Sequence, residues 1–381
     1  MGIMNLFKRR RSWTNLDKFL DRPTSSGINV NDNVALGIPA VYACIRVLAE
    51  SIASLPLIVY ERLPNGDKQR ALDFSLYRIL HDQPNPLMTA LEIKELIVGH
   101  LCLRGNSYNL IERDYGEVTA LWPLHPDKVQ VEVEGRELIY TYQDEHGPEK
   151  KFPMADVLHI RGLSSDGIVG YSPLSLLKDT FGHSKAISDY SANYFKNDAS
   201  PGGILSTPNS LGAQAVSNLR ESWEHGYKGQ GNKHRVAVLD SDLKWQSVGV
   251  SPENSQMIES QKFSVVEIAR VFRVPLNLVM DYERSTYSNV QEQNRSFLIH
   301  TLVPWMERIE QAIQKSLLTE GERGKYFVEH LTQNFLKADT KERFEAYKIA
   351  KEAGFMSINE IRQLENMNSV EGGDTYGPTT A

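Results

Sequence analysis

Residues 39–60 have the sequence PAVYACIRVLAESIASLPLIVY, and this stretch decides the class of fold. In its first part apolar residues recur every three or four positions, which predicts an amphipathic helix from Pro39 to about Ser54. These residues are Val41, Cys44, Ile45, Leu48 and Ile52. Residues 57–60 then predict a strand, and the turn-forming residues of 64–66 end it.

The mixed pattern extends to about residue 170. Thr89 and Glu92 have the spacing of a capping box, which predicts a second helix as far as about Leu103, interrupted by Gly105 and Asn106. Five short strands follow, punctuated by glycine and proline, at 107–113, 119–123, 129–134, 138–143 and 157–161. We therefore predict an α+β unit with a largely antiparallel sheet over residues 34–170.

Long helices are predicted beyond residue 170. Ser172 with Pro173 is typical of a helix start, and nothing except a glycine interrupts the pattern to about residue 197. Ser251 with Pro252 repeats this signal for a second helix to about residue 272. Residues 201–250 lie between the two and predict a small mixed module, with strands at 203–206, 235–240 and 244–248 and a helix at 214–227. We expect an antiparallel helix pair with this module at its tip.

The remaining chain predicts a loop and further helices. Val274 and Pro275 end the second helix, residues 276–287 form a loop, and Pro304 predicts a kink in a third long helix. Spacings typical of helix N-termini occur at Ser288 with Gln291 or Asn289 with Glu292, at Asp339 with Glu342, and at Ser357 with Glu360.

The amino-acid composition argues against several classes of protein for this chain. The chain has 381 residues, with 42 Lys and Arg against 48 Asp and Glu, so its net charge of −6 argues against a dedicated high-affinity DNA binder. Cys44 and Cys102 are too few for a disulfide framework or a four-ligand zinc site, and we expect both to pack in the core. No membrane span is expected, and the basic run 8–11 is not followed by the apolar region of a signal peptide.

Each sequence that resembles a catalytic motif lacks a residue or a structural context that the motif requires. The glycine-rich stretch 226–233 lacks the lysine directly after its last glycine, and it is predicted to follow a helix instead of a strand. Ser172 begins like a nucleophile elbow but is better explained as a helix cap, and His100 and His159 are interpreted as structural. Asp127 with Glu132 and Glu134 is the nearest approach to a nuclease site, and its basic partner is missing. We therefore expect no enzyme, no cofactor and no metal.

Segments spread along the chain carry a resemblance to a known family. They are 40–56 (AVYACIRVLAESIASLP), 103–108 (LRGNSY), 170–174 (GYSPL), 272–275 (FRVP), 287–292 (YSNVQE) and 371–374 (EGGD). In order and spacing they resemble the portal proteins of tailed bacteriophages, which are head–tail connectors, in the short-chain lambdoid siphophage type. The resemblance runs from about residue 33 to residue 374.

The resemblance implies an α+β portal fold with an α/β wing, a two-helix stem, a small mixed α/β clip insertion, a kinked long helix and a short helical crown. The implied boundaries are a flexible basic arm at 1–33, the wing at 34–170, stem helix 1 at 171–200, the clip at 201–250, stem helix 2 at 251–274, the tunnel loop at 275–288, the kinked long helix with wing completion at 289–337, and the small crown helices with the tail at 338–381.

The resemblance also implies a function without catalysis. It implies a homo-oligomeric ring, expected to be a dodecamer, at a unique capsid vertex, forming the channel for packaging and ejection of double-stranded DNA without sequence specificity. The implied partners are the major capsid protein and scaffold, the terminase large subunit and the head–tail adaptor, and no membrane. The implied location is the virion, with the host cytoplasm during assembly.

Site residues follow from position in the implied fold. In the tunnel loop, Tyr282, Arg284 and Tyr287 would face the DNA, or the tyrosines would pack the loop against a neighbour. In the clip, Lys228, Lys233, His234 and Arg235 would dock a partner, or form a solvated face. In the stem, Lys178, Lys185, Lys262 and Arg270 would line or brace the helices, with structural salt bridges as the simpler interpretation.

Two other classes stay open from the sequence. One is a nucleic-acid-processing enzyme such as a nuclease, which would show activity with Mg²⁺. The other is a different capsid-associated adaptor or minor capsid protein, which ring symmetry would distinguish from a portal.

Overall fold

The structure is a computed structural model that describes residues 24–144, 147–196, 204–208, 210–227, 244–246, 252–280, 287–332 and 340–377. The chain divides into two compact units. The first takes in the chain up to Lys185 and again from Ser264, and the second takes in Ala186–Phe263. No helix in the described ranges is long and apolar enough to cross a bilayer.

The described helices and strands alternate irregularly along the chain. The α-helices are α1 (Asp32–Leu36), α2 (Pro39–Ala53), α3 (Ser75–His81), α4 (Ala90–Arg104), α5 (Pro173–Leu176), α6 (Lys178–Lys196), α7 (Ala213–Tyr227), α8 (Pro252–Phe272), α9 (Tyr287–Phe297), α10 (Val303–Leu317), α11 (Glu320–Lys325), α12 (Thr340–Glu352) and α13 (Ile358–Leu364). The strands are β1 (Leu57–Arg62), β2 (Lys68–Arg70), β3 (Asn106–Asp114), β4 (Glu117–Leu124), β5 (Val129–Glu134), β6 (Glu137–Tyr142), β7 (Lys150–Pro153), β8 (Val157–Arg161), β9 (Ile204–Ser206), β10 (Lys244–Gln246) and β11 (Tyr326–His330).

Helices α2 and α4 form the centre of the first unit's core. The predicted apolar stripe of α2 is buried, and Cys44 and Cys102 are both buried free thiols, as predicted. Burial raises the pKa of each thiol to about 12. The capping box predicted for α4 is present, because the Thr89 side chain accepts from the Glu92 N–H while the Glu92 carboxylate accepts from the Thr89 N–H. These two helices therefore begin where local sequence predicts.

Three small antiparallel sheets belong to the first unit. Their strand orders are β11–β1–β2, β4–β3–β8 and β5–β6–β7. The sheets confirm the predicted antiparallel α+β architecture and the five predicted strands, to within about two residues at their ends. In the first sheet Leu57 pairs with His330, so a strand near the C-terminal end of the chain completes a sheet begun near its start.

The N-terminal arm differs in part from expectation. Of the predicted flexible segment 1–33, residues 24–33 are described, and they pack against the first unit. Thr24 is buried and its hydroxyl donates to the Ile28 carbonyl at 2.7 Å, while the Ser25 N–H donates to Asp179 at 2.8 Å. These local and long-range hydrogen bonds fix the segment, which composition alone does not show.

The first of the two long helices is interrupted, which corrects the prediction of one helix from Pro173 to about residue 197. The helix ends after Leu176, Leu177 adopts φ −112° and ψ 19°, and a new helix starts at Lys178. Leu174 and Phe181 are both buried, one on each side of the break.

The third long helix continues through its proline. Residues Leu298–Leu302 form a π-helical turn between α9 and α10, and Pro304 is the second residue of α10. Proline has no N–H to donate, so the preceding turn cannot keep a regular α-helical hydrogen-bond pattern. Pro304 does not stop the helix, as predicted, and a wide π turn lies next to it. The kink stays a prediction.

The second unit contains parts of two long helices and a small mixed module. Strands β9 and β10 pair antiparallel, with Leu205 opposite Trp245, and α7 matches the predicted helix. Within this unit the Gln261 side chain of α8 donates to the Ser191 hydroxyl of α6 at 2.7 Å, so the two helices are in contact there. The strand predicted at 235–240 lies outside the described residues.

Candidate functional site

Two of the segments that carry the resemblance meet in a single junction, which we call the glycine junction: Gly105, Asn106, Gly162, Gly170 and Tyr171. Gly105 ends α4 in the left-handed region with φ 68°. A Cβ atom on Gly105 would lie 1.8 Å from the Tyr171 carbonyl oxygen, and one on Gly170 would lie 2.1 Å from the Gly105 oxygen. Only glycine at both positions permits this approach of the two backbones.

Asn106 satisfies the backbone of this junction. Its side-chain nitrogen donates to the Gly170 carbonyl at 2.8 Å, and its oxygen accepts from the Gly170 N–H at 2.7 Å. The His159 ring lies within hydrogen-bond distance of the same oxygen, at 3.0 Å. All of these groups are buried, so their mutual pairing avoids the cost of unsatisfied polar atoms.

Ser172, next to the glycine junction, caps a helix. Its hydroxyl donates to the Leu103 carbonyl at 3.1 Å and accepts from the Ser175 N–H at 3.2 Å. The predicted helix cap is confirmed, and both interactions hold the start of α5 against the end of α4. With these partners the hydroxyl is not positioned as a nucleophile.

The two histidines interpreted as structural are both withdrawn from solvent. His159 contacts the Tyr140 hydroxyl at 3.2 Å, and burial, followed by the charges of Arg161 and Lys315, holds its pKa well below the usual value. Burial lowers the pKa of His100 to about 4. Both rings are therefore neutral at pH 7, in agreement with a structural role.

One group of metal-ligating side chains occurs that the sequence analysis did not find. The carboxylates of Asp32 and Asp127 and the ring of His125 lie within 4.8 Å of one another. The Arg104 guanidinium pairs with both carboxylates, at 3.0 Å to Asp32 and 2.6 Å to Asp127. Because this cation pairs with both carboxylates and offsets one of their two negative charges, the cluster is explained as an ion-pair network that ties α1 to the turn before β5.

The predicted tunnel loop has well-defined flanks. Arg273 ends α8 with φ 54°, and its carbonyl accepts from the Thr301 hydroxyl at 2.8 Å. On the same side of the loop, the buried Asn277 donates to Asn294 of α9 at 3.4 Å. Arg273 and Asn277 both precede residues 281–286, and both are bonded to the long helix that follows these residues. The two bonds hold the start of the predicted loop against that helix.

The predicted loop and clip residues fall largely outside the described chain. Tyr282 and Arg284 lie outside it, and Tyr287 starts α9 with its side chain not described. The four clip residues also lie outside it: Lys228, Lys233, His234 and Arg235. Their roles stay predictions.

The predicted stem cations lie on the two long helices. Lys178 begins α6, Lys185 follows two turns later, and both are half-buried. Lys262 is exposed on α8, and Arg270 is exposed in its last turn, where a positive charge interacts favourably with the helix dipole. The three lysines each have interaction partners, which is consistent with bracing.

Comparison with known proteins shows close relatives over nearly the whole chain. The chain is 34% identical to the portal protein of Enterobacteria phage HK97 over 352 residues, covering 91% of this chain and 82% of that protein. It is 32% identical to a probable portal protein of Streptomyces phage phiC31, covering 95% and 82%. The structure resembles a chain in the neck of a native gene transfer agent particle, computed with C12 symmetry, with a TM-score of 0.68 at 23% identity, covering 97% and 98%.

Sequence and fold together define a connector protein of phage capsids. The profile of the phage portal protein family matches residues 39–366. The chain belongs to the phage portal protein family, which is a structural and not an enzymatic family, and its role is that of a portal at a capsid vertex.

Proposed function

We propose that twelve copies of this chain form a ring at one capsid vertex, and that double-stranded DNA is packaged and ejected through its centre. The observation that carries this proposal is the portal family match over residues 39–366, joined to a fold shared with a neck chain computed with C12 symmetry. The proposed location is the virion, with the host cytoplasm during assembly.

The domain boundaries extend this proposal. The wing corresponds to the α+β part of the first unit, and the clip corresponds to the mixed module within the second unit. The two stem helices correspond to α6 and α8, and the short helices α12 and α13 correspond to the crown. The interrupted start of α6 moves the long part of the first stem helix to Lys178.

DNA is proposed to contact the tunnel loop. Arg284 supplies a positive charge to a mildly acidic chain, and Tyr282 and Tyr287 flank it. DNA that must slide needs weak attraction to its phosphates and no base readout, because phosphate contacts carry no sequence information. The hydrogen bonds of Arg273 and Asn277 to the third long helix support a defined position for the start of the loop.

Protein partners are proposed for the outer parts of the ring. The clip, with Lys228, Lys233, His234 and Arg235, would dock the terminase large subunit and later the head–tail adaptor. The wing and crown would face the major capsid protein and scaffold. The chain itself is proposed to hydrolyse nothing, and the commitment of Ser172 to helix capping supports this.

The decisive experiment is the native mass of the purified full-length chain together with negative-stain images. We expect ring particles with a central channel and twelve-fold symmetry. A chain that stays monomeric at all protein and salt concentrations would overturn the ring proposal. Incubation of the same sample with Mg²⁺, ATP and linear DNA tests the absence of catalysis, since hydrolysis of either substrate that follows the purified protein would contradict it.

A further inference from the structure

A cavity of about 520 Å³ in the first unit is unusually basic. It lies where the end of β8 meets the C-terminal half of α10 and the start of α11. Five cationic side chains line it: Arg113, Arg161, Arg308, Lys315 and Arg323. These residues come from four separate segments of sequence, so the fold and not a local basic run brings them together. We call this feature the basic cavity.

Carboxylates do not balance this charge. Within the described ranges no aspartate or glutamate lines the basic cavity, and Asp156, at 3.8 Å from Arg113, is the nearest ion-pair partner of any lining cation. The buried His159 ring at the wall has its pKa lowered first by burial and then by Arg161 and Lys315. Arg161 and Lys315 therefore both act on the His159 ring at the cavity wall.

Helix capping explains part of the cluster. Arg323 donates to the carbonyls of Gln314, Lys315 and Leu318, and Arg113 donates to that of Ser316. These carbonyls belong to the unpaired end of α10, where cations are favourable. A carbonyl satisfies a donor but does not neutralise a full positive charge, so the cavity keeps its charge after capping.

Helix capping does not explain why Arg161 and Arg308 line the cavity. Arg161 lies at the end of β8, and Arg308 lies in the second turn of α10, away from its C-terminus. Arg308 donates one N–H to the Arg161 carbonyl at 2.8 Å, and its buried Nε has no hydrogen-bond partner in the described part of the chain. The Arg308 side chain as a whole is half-buried and also lies over the Trp305 ring, at 5.7 Å from the ring centroid. An unpaired buried donor on a cation is costly, so a bound anion next to Arg308 would be favourable.

We propose that the basic cavity binds a ligand with two or more phosphate groups, either a free polyphosphate or the backbone of a nucleic acid. Its volume lies in the range of ligand sites, so it can hold more than one anionic group. Several linked phosphates bring several negative charges into one cavity, and the planar guanidinium forks of arginine match phosphate oxygens. None of its lining residues belongs to the proposed tunnel loop, and the proposal does not depend on a DNA channel.

The test uses the full-length chain and inorganic triphosphate as the probe, by isothermal titration calorimetry. We expect binding that weakens with added salt. Arg161→Gln and Lys315→Gln should each weaken it about tenfold, which corresponds to the loss of one charge-assisted hydrogen bond. Arg136→Gln, which removes an exposed arginine in the β5–β6 turn, is the matched control and should change affinity less than about twofold.

A second arm distinguishes the two sources of phosphate. Triphosphate that displaces a fluorescent short DNA duplex from the wild-type chain, but not from Lys315→Gln, identifies the nucleic-acid backbone as a ligand of the basic cavity. Triphosphate binding without displacement identifies a free polyphosphate. Lys315 is exposed, so its variant should fold normally even if Arg161→Gln does not.

Three outcomes overturn the proposal. The first is an absence of triphosphate binding to the wild-type chain. The second is binding that the folded Lys315→Gln variant leaves unchanged. The third is displacement of triphosphate by an equal concentration of a glutamate-rich peptide, which would assign the cavity to an acidic protein segment. Ring formation can be checked on the same samples, so failure of the portal assembly and failure of this site are separate results.

Discussion

The side chain of Asn106 pairs with both backbone groups of Gly170, donating to its carbonyl at 2.8 Å and accepting from its N–H at 2.7 Å. The two residues are 64 positions apart in the sequence, and one amide side chain joins their segments by bonding both backbone groups of Gly170. The interaction joins the end of α4 to the segment that leads into the first stem helix. Asn106 and Gly170 belong to two different segments among those that carry the family resemblance.

We predict that Asn106→Ala lowers the free energy of unfolding by about 3 kcal/mol, because it leaves the buried backbone groups of Gly170 without partners. Urea denaturation monitored by circular dichroism measures the change. Asn33→Ala, at an exposed asparagine of α1, is the control and should change stability by less than about 0.5 kcal/mol. Equal stability of the two variants would show that the junction does not depend on Asn106.

Two glycines of the same helix should respond to alanine in opposite ways: Gly105, which ends α4, and Gly99, which lies inside it. Gly105→Ala should lower stability by about 3 kcal/mol or more, because alanine is strained at φ 68° and its Cβ would lie 1.8 Å from the Tyr171 oxygen. Gly99→Ala, inside the same helix with open space around it, should instead raise stability by about 1 kcal/mol. Thermal unfolding of both variants tests the opposite signs, and a shift in the same direction would contradict the close approach.

Local sequence signals predict the helices that begin with a capping side chain. The capping boxes of Thr89 with Glu92 and of Ser357 with Glu360 are present as predicted. Helix α11 also has a capping box, of Thr319 with Glu322, so the same spacing in the sequence indicates the start of this helix too. Such contacts form within four residues and need no tertiary structure.

Elements without a local signal were missed. The residue before helix α3 is Phe74, whose side chain provides no cap. Strands β2 and β7 have three and four residues, and about half of these residues are charged. The basic cavity was missed for a different reason. Arg161 and Arg308 are 147 residues apart, and only the packing of α10 against β8 brings them together. Sequence spacing therefore predicts caps and apolar faces, but not a cluster assembled by tertiary contacts.

A buried lysine makes stability depend on pH. Lys94 is buried and donates to the Leu55 carbonyl at 2.7 Å, and burial lowers its pKa to about 8. Between pH 8 and about 10.5 the unfolded chain holds a proton that the folded chain has lost, so stability rises with pH in this window. The contribution of Lys94 to this rise is roughly 3 kcal/mol.

We predict that Lys94→Met removes this rise. Urea denaturation of wild type and variant at pH 7.5 and pH 10 measures the difference in slope, and other titrating groups cancel because they are common to both chains. Lys151→Met, at an exposed lysine of β7, should keep the wild-type slope. A Lys94→Met chain whose stability varies with pH as the wild type does would show that Lys94 titrates normally.

The C-terminal segment is fastened to the β1–β2 turn. Asp67 accepts from the Ser369 N–H at 2.9 Å and from its hydroxyl at 2.7 Å, and Asn368 bonds both backbone groups of Lys68. The Ser369 N–H also holds the pKa of Asp67 below its usual value. These contacts join residues about 300 positions apart in the sequence.

We predict that Asp67→Ala loosens this attachment and speeds tryptic cleavage after Arg362 several-fold, because local opening exposes the chain to the protease. Mass spectrometry of timed digests measures the rate. Asp73→Ala, at a nearby exposed aspartate, is the control and should be cleaved at the wild-type rate. Cleavage of Asp67→Ala at that same rate would mean that other contacts hold the segment.

The last prediction concerns the proposed channel. Arg284→Ala should leave ring formation intact, because the segment before the loop is held by Thr301 and Asn294, which the substitution does not touch. It should lower the amount of DNA retained in filled capsids several-fold, because it removes a ring of positive charges that attracts phosphates. Arg284→Lys keeps that charge and should retain DNA as the wild type does. The measurement is DNA content per capsid, with rings counted by negative stain, and normal retention by Arg284→Ala would exclude this residue from DNA contact.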